Sequence, residues 1–265
     1  MTIISSMANP LTPDDRARYE WQLAATDFGE EGQTRLKNST VLVSRIGGVG
    51  GTLAHQLAAA GVGKLILAHA GNLRVDDLNR QLLMNQAGVG QARVEQAARR
   101  LREFNPLIEI EPAAENVSEQ NIDALVSRVD AIASCAPLFA ERLLMNRAAV
   151  RLGKPLVDCA MYETEIQLVV VVPGQTPCLA CLYPAEPPAW QRRFPVFGAV
   201  AGTVGCLGAM ELIKILAGLG EPPTGRMLVG DLRTMTFRSV QLRRDPACAV
   251  CAGASPRPLR GECID

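Results

Sequence analysis

Two cysteine pairs with identical spacing constrain the fold of this 265-residue chain more than any other feature. Cys178-Leu-Ala-Cys181 follows a Thr-Pro step, and Cys248-Ala-Val-Cys251 follows an Asp-Pro step. A C-x-x-C turn places two sulfur atoms on one side of the backbone, and two such turns supply the four thiolates of a tetrahedral zinc site. The spacing therefore predicts a structural zinc clasp, with two disulfides as the alternative. Four thiolates complete the coordination shell, so this metal should hold the fold rather than react.

Charge and composition exclude several function classes. Lys plus Arg equals Asp plus Glu at 27 each, so the chain has no excess of positive charge for nucleic acid or an anionic membrane. We expect no apolar run of membrane-spanning length, and the N-terminus lacks the pattern of a secretory signal. Eight cysteines without an export signal favour a reducing compartment. We therefore expect a soluble cytoplasmic protein with neither nucleic acid nor a membrane as partner.

Strand-like and helix-like segments alternate along the chain. A β-branched run at 39–44 leads into the glycine turn 47–51 and a helix at 53–60. Further strands are predicted at 64–68, 108–110, 131–133 and 155–157, and further helices at 91–104, 119–128 and 138–152. Such alternation predicts an α/β fold, a doubly wound Rossmann-like mostly parallel sheet with helices on both faces.

The second half of the chain follows a different pattern. A continuous apolar strand is predicted at 166–172, a small-residue helix that should be almost wholly buried at 198–218, and an antiparallel pair at 227–232 and 236–242. The pair forms an antiparallel C-terminal extension that leads into the second cysteine pair. We expect a helical lead-in over 1–38 (helical from 13 to 36), one domain over 39–253 with a crossing loop at 182–197, and a tail over 254–265.

The glycine turn follows the first predicted strand, where α/β proteins bind nucleotide phosphates. Gly47, Gly48 and Gly50 would let the backbone approach a phosphate at a helix N-terminus. Close packing of strand against helix also selects glycine, so the turn alone leaves both interpretations open.

Several motifs taken together resemble the ThiF/MoeB/HesA superfamily, relatives of ubiquitin-activating enzymes. They are the glycine turn, Asp77-Leu-Asn-Arg80-Gln81, Val89-Gly90-x-x-Arg93, Asn105-Pro106 and the paired C-x-x-C. The likeness runs from about Arg18 to Cys251. The runs at 73–81 and 197–203 look most similar to the HesA branch, which is associated with nitrogenase and its metal cofactor.

The resemblance implies an activity. Family members use MgATP to adenylate the C-terminal glycine carboxylate of a small ubiquitin-like carrier, and a sulfur donor then attacks the acyl-adenylate. Arg80 and Arg93 stand where the family places phosphate-directed cations and are the catalytic candidates. The implied nucleotide-binding residues are Gly47, Gly48, Gly50, Asp77, Asn79, Arg80, Gln81 and Arg93. The family also dimerises through its sheet domain, so a homodimer is expected.

Four departures from the family pattern surround this centre. Arg45 replaces the first glycine of the turn, and residues 69–72 (His-Ala-Gly-Asn) replace the acids that hold the ribose. Trp21 replaces an N-terminal arginine that reaches the partner's site, and Pro137 replaces the aspartate that binds Mg²⁺. The departures predict a degenerate catalytic centre with altered or lost activity. Arg45, Arg80 and Arg93 can still form an anion pocket. As alternatives, Arg45 turns outward to solvent, and Asp76, Asp77 or Asp130 takes over the metal.

Other polar residues carry weaker hypotheses. His69 is a candidate ligand contact at a strand end, and His55 is expected to pack inside a helix. Asp158, Glu163 and Glu165 are expected mainly in solvated or helix-facing roles, with a compensating acid or metal ligand as the alternative. Cys135 and Cys159 are expected as small buried residues. The crossing loop has no cysteine for a covalent step, but Trp190, Arg192, Arg193 and Phe194 suit a partner contact.

Two further function classes compete with the adenylyltransferase. The first is a non-catalytic dimeric ligand-binding or scaffold protein of the same fold, acting in metal-cofactor assembly of the nitrogenase type. The second, a dinucleotide oxidoreductase, is disfavoured because the acid that would hold the ribose is missing from 69–72.

Overall fold

The computed structural model describes residues 9–187, 194–222 and 224–255. The loop residues Trp190, Arg192 and Arg193 and the tail residues 256–265 lie outside the described part of the chain.

The predicted helical lead-in consists of three short helices, α1 (Pro13–Arg18), α2 (Glu20–Leu23) and α3 (Gly29–Lys37). Thr12 begins α1 with a reciprocal cap, because its hydroxyl accepts from the Asp15 N–H at 3.2 Å and its own N–H donates to the Asp15 carboxylate at 2.7 Å. Asp27 has a φ of 61°, which no continuous helix allows. The helical lead-in expected over 13–36 is therefore divided into separate helices.

Eight strands form one sheet in the order β3-β2-β1-β4-β5-β6-β7-β8. Strands β1 to β5 pair in parallel, and β5 to β8 pair antiparallel. This confirms the predicted mostly parallel sheet with its antiparallel extension. The strands are β1 (Thr40–Ser44), β2 (Lys64–Ala68), β3 (Glu109–Ala113), β4 (Ala131–Ser134), β5 (Leu156–Tyr162), β6 (Glu165–Val171), β7 (Arg226–Asp231) and β8 (Thr236–Gln241).

Helices cover both faces of the parallel strands, so the sheet is doubly wound. One apolar core joins Val41 and Val43 of β1 to Leu53 and Leu212 on helices, and a second joins Leu42 to helical side chains on the other face. Alternate residues of a strand point to opposite faces, which explains why neighbouring residues of β1 enter different cores. The remaining helices are α4 (Gly48–Ala60), α5 (Arg93–Phe104), α6 (Ile122–Val126), α7 (Phe139–Leu152), α8 (Leu179–Leu182) and α9 (Gly198–Ala217).

Helix α9 corrects two sequence-based expectations. The helix has 20 residues and contains a window of mean hydropathy 1.6. By length and composition alone it could cross a membrane, whereas the sequence predicts no run of that length. It was also expected to be almost wholly buried, yet 50% of that window is buried, and Met210 is 43% exposed. A Cβ at Gly205 would lie 2.7 Å from the Val49 carbonyl oxygen, and one at Gly208 would lie 2.2 Å from the Cys159 sulfur. These close approaches pack α9 into the core of the fold.

Candidate functional site

A cavity of about 590 Å³ lies at the carboxyl ends of the parallel strands. Open α/β sheets bind ligands at this edge, where the loops after neighbouring strands converge. Seven of the eight residues implied in nucleotide binding line it, namely Gly47, Gly48, Asp77, Asn79, Arg80, Gln81 and Arg93. Gly50 does not, and serves packing instead, because a Cβ there would lie 2.4 Å from the Arg45 carbonyl oxygen.

The glycine turn forms the first turn of α4. The helix begins at Gly48 rather than near residue 53, and Gly47 precedes it without a side-chain cap. The first N–H groups of an α-helix have no partner within the helix, and they lie at the positive end of its dipole. The Gly47 N–H already donates to the Arg45 carbonyl oxygen at 2.6 Å. Gly48 and Val49, the first two residues of the helix, bring backbone donors to the wall of the cavity.

Arg45 lies just before this turn in an unusual backbone conformation. Its φ is 59°, in the left-handed region that favours glycine and costs other residues about 1–3 kcal/mol. The side chain is 12% exposed and ion-paired to Glu141, with Nη2 2.5 Å and Nε 2.7 Å from the carboxylate Oε2. The alternative in which Arg45 turns outward to solvent is therefore wrong.

Asp77 forms ion pairs with both Arg80 and Arg93, the two candidate phosphate-binding arginines. Arg80 and Arg93 each place an Nη2 atom 3.3 Å from a different carboxylate oxygen of Asp77, which is 6% exposed. Gln81 Nε2 donates to the same carboxylate at 2.8 Å. The Gln81 Oε1 atom is buried with no hydrogen-bond partner among the described residues, so it is an acceptor available to a ligand.

A second buried ion pair, between Arg142 and Asp158, lies beside the cavity. The sequence indicated Asp158 as a candidate but not Arg142. Arg142 lines the cavity, and its Nη2 lies 2.5 Å from the Asp158 Oδ2. Asp158 is 1% exposed and accepts from the Ser134 hydroxyl at 2.7 Å. Of the two expected roles it takes the helix-facing one, towards Arg142 of α7, and not the solvated one. Burial opposes the charge of Arg142, yet the charge of Asp158 and its hydrogen bond raise the pKa of Arg142 overall. An aspartate within an apolar strand is the signal that could have indicated this pair.

The other candidates take varied positions. His69 is buried and lines the cavity, as its place after β2 predicted, whereas His55 packs on Phe104 with ring centroids 4.3 Å apart. Glu163 pairs with Arg233 at the surface at 2.8 Å, and Glu165 is exposed, as expected. Cys135, Cys159, Pro137 and Phe194 also line the cavity.

Cys159 is buried beside Cys135. A hydrogen bond with Cys135 and burial together raise the pKa of Cys159, so it remains a protonated thiol. Trp21 lies at the surface and is 91% exposed.

The lining of the cavity is electropositive. Its side chains include five arginines, Arg45, Arg74, Arg80, Arg93 and Arg142, and two aspartates, Asp76 and Asp77. All five arginines are ion-paired, Arg74 to Asp76, Arg80 and Arg93 to Asp77, Arg45 to Glu141 and Arg142 to Asp158. The arginines therefore outnumber their partner carboxylates by one. An excess of cations in a concave site concentrates field lines and attracts anions.

The four predicted metal ligands converge on one another, and none of them lines the cavity. The sulfur atoms of Cys178, Cys181, Cys248 and Cys251 all lie within 4.8 Å of one another. The Cys178–Cys248 and Cys181–Cys251 sulfur pairs are 3.8 and 3.5 Å apart, and all four cysteines are free thiols. Tetrahedral zinc with bonds of about 2.3 Å needs sulfur separations of about 3.8 Å. The donor set therefore fits zinc, which would join α8 to the segment after β8.

Comparison with known proteins assigns the family. The ThiF family model matches residues 19–250. The chain is 47% identical over 247 residues to "Protein HesA, heterocyst" of Trichormus variabilis, covering 93% of this chain and 92% of that protein. It is 39% identical over 260 residues to "Adenylyltransferase and sulfurtransferase MOCS3" of Drosophila ananassae, covering 96% of this chain but 57% of that protein.

Solved structures agree on the fold. E. coli MccB, crystallised with MccA-N7isoASN, superposes with a TM-score of 0.80 at 22% identity, covering 90% of this chain and 75% of that chain. At this identity the likeness concerns the fold alone. The family model spans nearly the whole α/β sheet and the chain aligns with HesA over almost its full length, so this protein belongs to the ThiF family.

Proposed function

We propose that the cavity binds the phosphates of a nucleotide such as ATP, and that the protein descends from adenylyltransferases whose reaction it performs in altered form or has lost. The ancestral reaction activates the C-terminal carboxylate of a small ubiquitin-like carrier in sulfur or metal-cofactor biosynthesis. The relatives' names support this ancestry, since MOCS3 is an adenylyltransferase and sulfurtransferase and one MccB structure contains ATP.

The observation that carries the proposal is the convergence of Arg80 and Arg93 on Asp77 beside the N-terminus of α4. A guanidinium fork and backbone N–H groups are the donors that proteins aim at phosphate oxygens. Asp77 holds the two arginines in place before a ligand arrives. Donors fixed in advance stabilise the charge that develops during phosphoryl chemistry without reorganising.

The expected change in the reaction follows from two substituted residues, Pro137 and Trp21. Pro137 lines the cavity where the family carries its metal-binding aspartate, and proline has no side-chain donor. Trp21 occupies the place of an arginine that the family extends into the partner's site. Loss of one arginine that stabilises the transition state can cost about 10³–10⁵ in rate. We therefore expect the protein to retain nucleotide binding even where the adenylyl transfer reaction is slowed or lost.

A second candidate is a non-catalytic homodimeric scaffold in metal-cofactor assembly. It is favoured by two large exposed apolar side chains, Leu82 at 72% and Phe197 at 61%, both close in sequence to residues that line the cavity. The free thiols of the described cysteines fit a reducing cytoplasm for either candidate.

Exchange of radiolabelled pyrophosphate into ATP tests the proposal, with the purified full chain and a ubiquitin-like carrier that ends in glycine. We expect exchange far below that of an active adenylyltransferase, together with thermal stabilisation by ATP. Carrier-dependent exchange at about 1 s⁻¹ or faster, a typical enzyme rate, would show that the reaction is intact. Absence of both exchange and ATP stabilisation would leave the scaffold as the remaining candidate.

A further inference from the structure

We infer that Arg45 is a resident cation that takes the place of a divalent metal, so that the cavity binds a polyphosphate anion such as ATP without Mg²⁺. The inference rests on the proposed nucleotide site. It adds that the ligand binds without a metal ion, and that Arg45 is the residue that allows this.

The Mg²⁺ that the fold family implies does not fit the donor set. Magnesium is held by carboxylate oxygens in near-octahedral geometry. The two carboxylates that line the cavity, Asp76 and Asp77, are each engaged by arginine, and Pro137 offers no oxygen from its side chain. A metal ion would have to displace an arginine from its carboxylate.

Glu141 does not line the cavity; Arg45 holds its Oε2, and its Oε1 is buried without a hydrogen-bond partner among the described residues. Asp158 and Asp130 do not supply a site either. Asp158 is held by Arg142 at 2.5 Å. Asp130 accepts from the Thr40 N–H at 2.9 Å. Thr40 begins β1 and Asp130 immediately precedes β4, so Asp130 lies at the amino edge of the sheet rather than at the cavity. The alternative in which Asp76, Asp77 or Asp130 replaces the family's metal ligand is therefore not supported.

Arg45 is positioned to present guanidinium N–H donors to an anion in the cavity, while Glu141 balances its charge. It lines the cavity with Gly47 and Gly48, so its side chain starts from the same turn that presents the backbone donors. Glu141 Oε2 accepts from both Nε and Nη2, and no described residue contacts the Nη1 group in a hydrogen bond. A guanidinium held in this way is pre-organised for an anion.

The strained backbone of Arg45 is consistent with a retained role. Its φ of 59° would suit glycine better, and the chain accepts this cost to hold a side chain that is 12% exposed. Strain of this kind persists where the surrounding contacts over-determine it, as the ion pair with Glu141 does here.

Equilibrium titration of ATP into the full chain, in EDTA and in Mg²⁺, tests the inference. We expect the wild type to bind ATP in EDTA at least as tightly as in Mg²⁺, because Mg²⁺ neutralises the charge that the arginines attract. Arg45→Gly should weaken binding in EDTA by about tenfold or more, the loss expected for one charged hydrogen bond. Arg45→Lys should retain more of the affinity than Arg45→Met, which keeps the length but not the charge.

Arg233→Gln is the matched control, because Arg233 does not line the cavity and is 65% exposed in its surface pair with Glu163. It should change the Kd by less than about threefold, since exposed pairs contribute little. Binding of ATP only in Mg²⁺ would overturn the inference and leave the proposed function standing. Absence of binding in both conditions would overturn both. Equal affinity of the Arg45→Met and wild-type proteins in EDTA would overturn the role of Arg45.

Discussion

The guanidinium of Arg142 and the carboxylate of Asp158 form a buried ion pair, with Nη2 2.5 Å from Oδ2 and Nε 3.1 Å from Oδ1. Arg142 extends from α7 to β5, and its charged group lies 4.5 Å from the centre of the Phe139 ring. The pair thereby fixes the helix that also carries Glu141, the partner of Arg45, against the end of the sheet.

Removing the negative charge of this pair should destabilise the fold. In Asp158→Asn, Arg142 would stay buried beside a neutral amide, and breaking a buried pair costs about 3–5 kcal/mol. Urea unfolding followed by circular dichroism measures the change in the free energy of unfolding. The matched control is Glu163→Gln, which breaks the surface pair with Arg233 and should leave stability unchanged. Equal, small effects of both substitutions would contradict the structural role of the Asp158 pair.

Zinc removal should destabilise the C-terminal segment. Cys178 and Cys248 contribute sulfur atoms from α8 and from the segment after β8, so replacing either with serine leaves an incomplete donor set. We expect about one zinc per chain in the wild type, and less zinc with a lower Tm in Cys178→Ser or Cys248→Ser. Metal analysis and thermal unfolding measure both quantities. The control Cys206→Ser, at an exposed position on α9, should retain the zinc. A metal-free wild type with an unchanged Tm in chelator would refute the zinc clasp.

Two glycine substitutions should have opposite effects. Gly50→Ala would place a Cβ 2.4 Å from the Arg45 carbonyl oxygen, and relieving that clash should cost about 1–3 kcal/mol. Gly202→Ala lies in α9, where the nearest atom to the new Cβ is the Thr52 Oγ1 at 3.8 Å. It should stabilise by about 0.5–1 kcal/mol, because alanine loses less backbone entropy in a helix. Thermal unfolding of both variants measures the difference, and a stable Gly50→Ala protein would show that the turn has room.

Acid should remove a small stabilising contribution of Glu111. Hydrogen bonds from Arg128 and Lys64 lower the pKa of Glu111 from 4.5 to about 2. A lowered pKa in the folded state stabilises the protein above pH 4.5, and the contribution is lost as the pH falls through that value towards 2. The group is partly exposed, so the effect should be modest. Glu111→Gln should flatten the loss of stability over this range, and an unchanged pH profile would contradict the ion-pair account.

The sequence predicted the sheet because buried parallel strands are short apolar runs. Strand β2 at Lys64–Ala68 has the predicted bounds, and β1 and β4 differ by one residue. Gly47, Arg80 and Arg93 could be assigned to one site because the loops after parallel strands meet at one edge.

Tertiary contacts decided the features that the sequence did not predict. Arg45 pairs with Glu141 across 96 positions of the chain, and no local pattern indicates such a partner. Helix α4 begins at Gly48 because its first turn is the glycine turn itself, whose low helix propensity concealed it. In α9 the small apolar residues lie on all sides, so hydropathy did not distinguish the packed face from the exposed one.

Calorimetric titration of MgATP into the wild type and Arg80→Gln proteins tests the central claim, that phosphates bind beside the glycine turn. The account predicts saturable binding of about one ATP per chain to the wild type, and a Kd raised about tenfold or more in Arg80→Gln, which loses one charged donor. Arg100→Gln, a charge-matched change at a surface position of α5 that is 66% exposed, should bind as the wild type does. No saturable heat with the wild type, or an unchanged Kd in Arg80→Gln, would contradict the account.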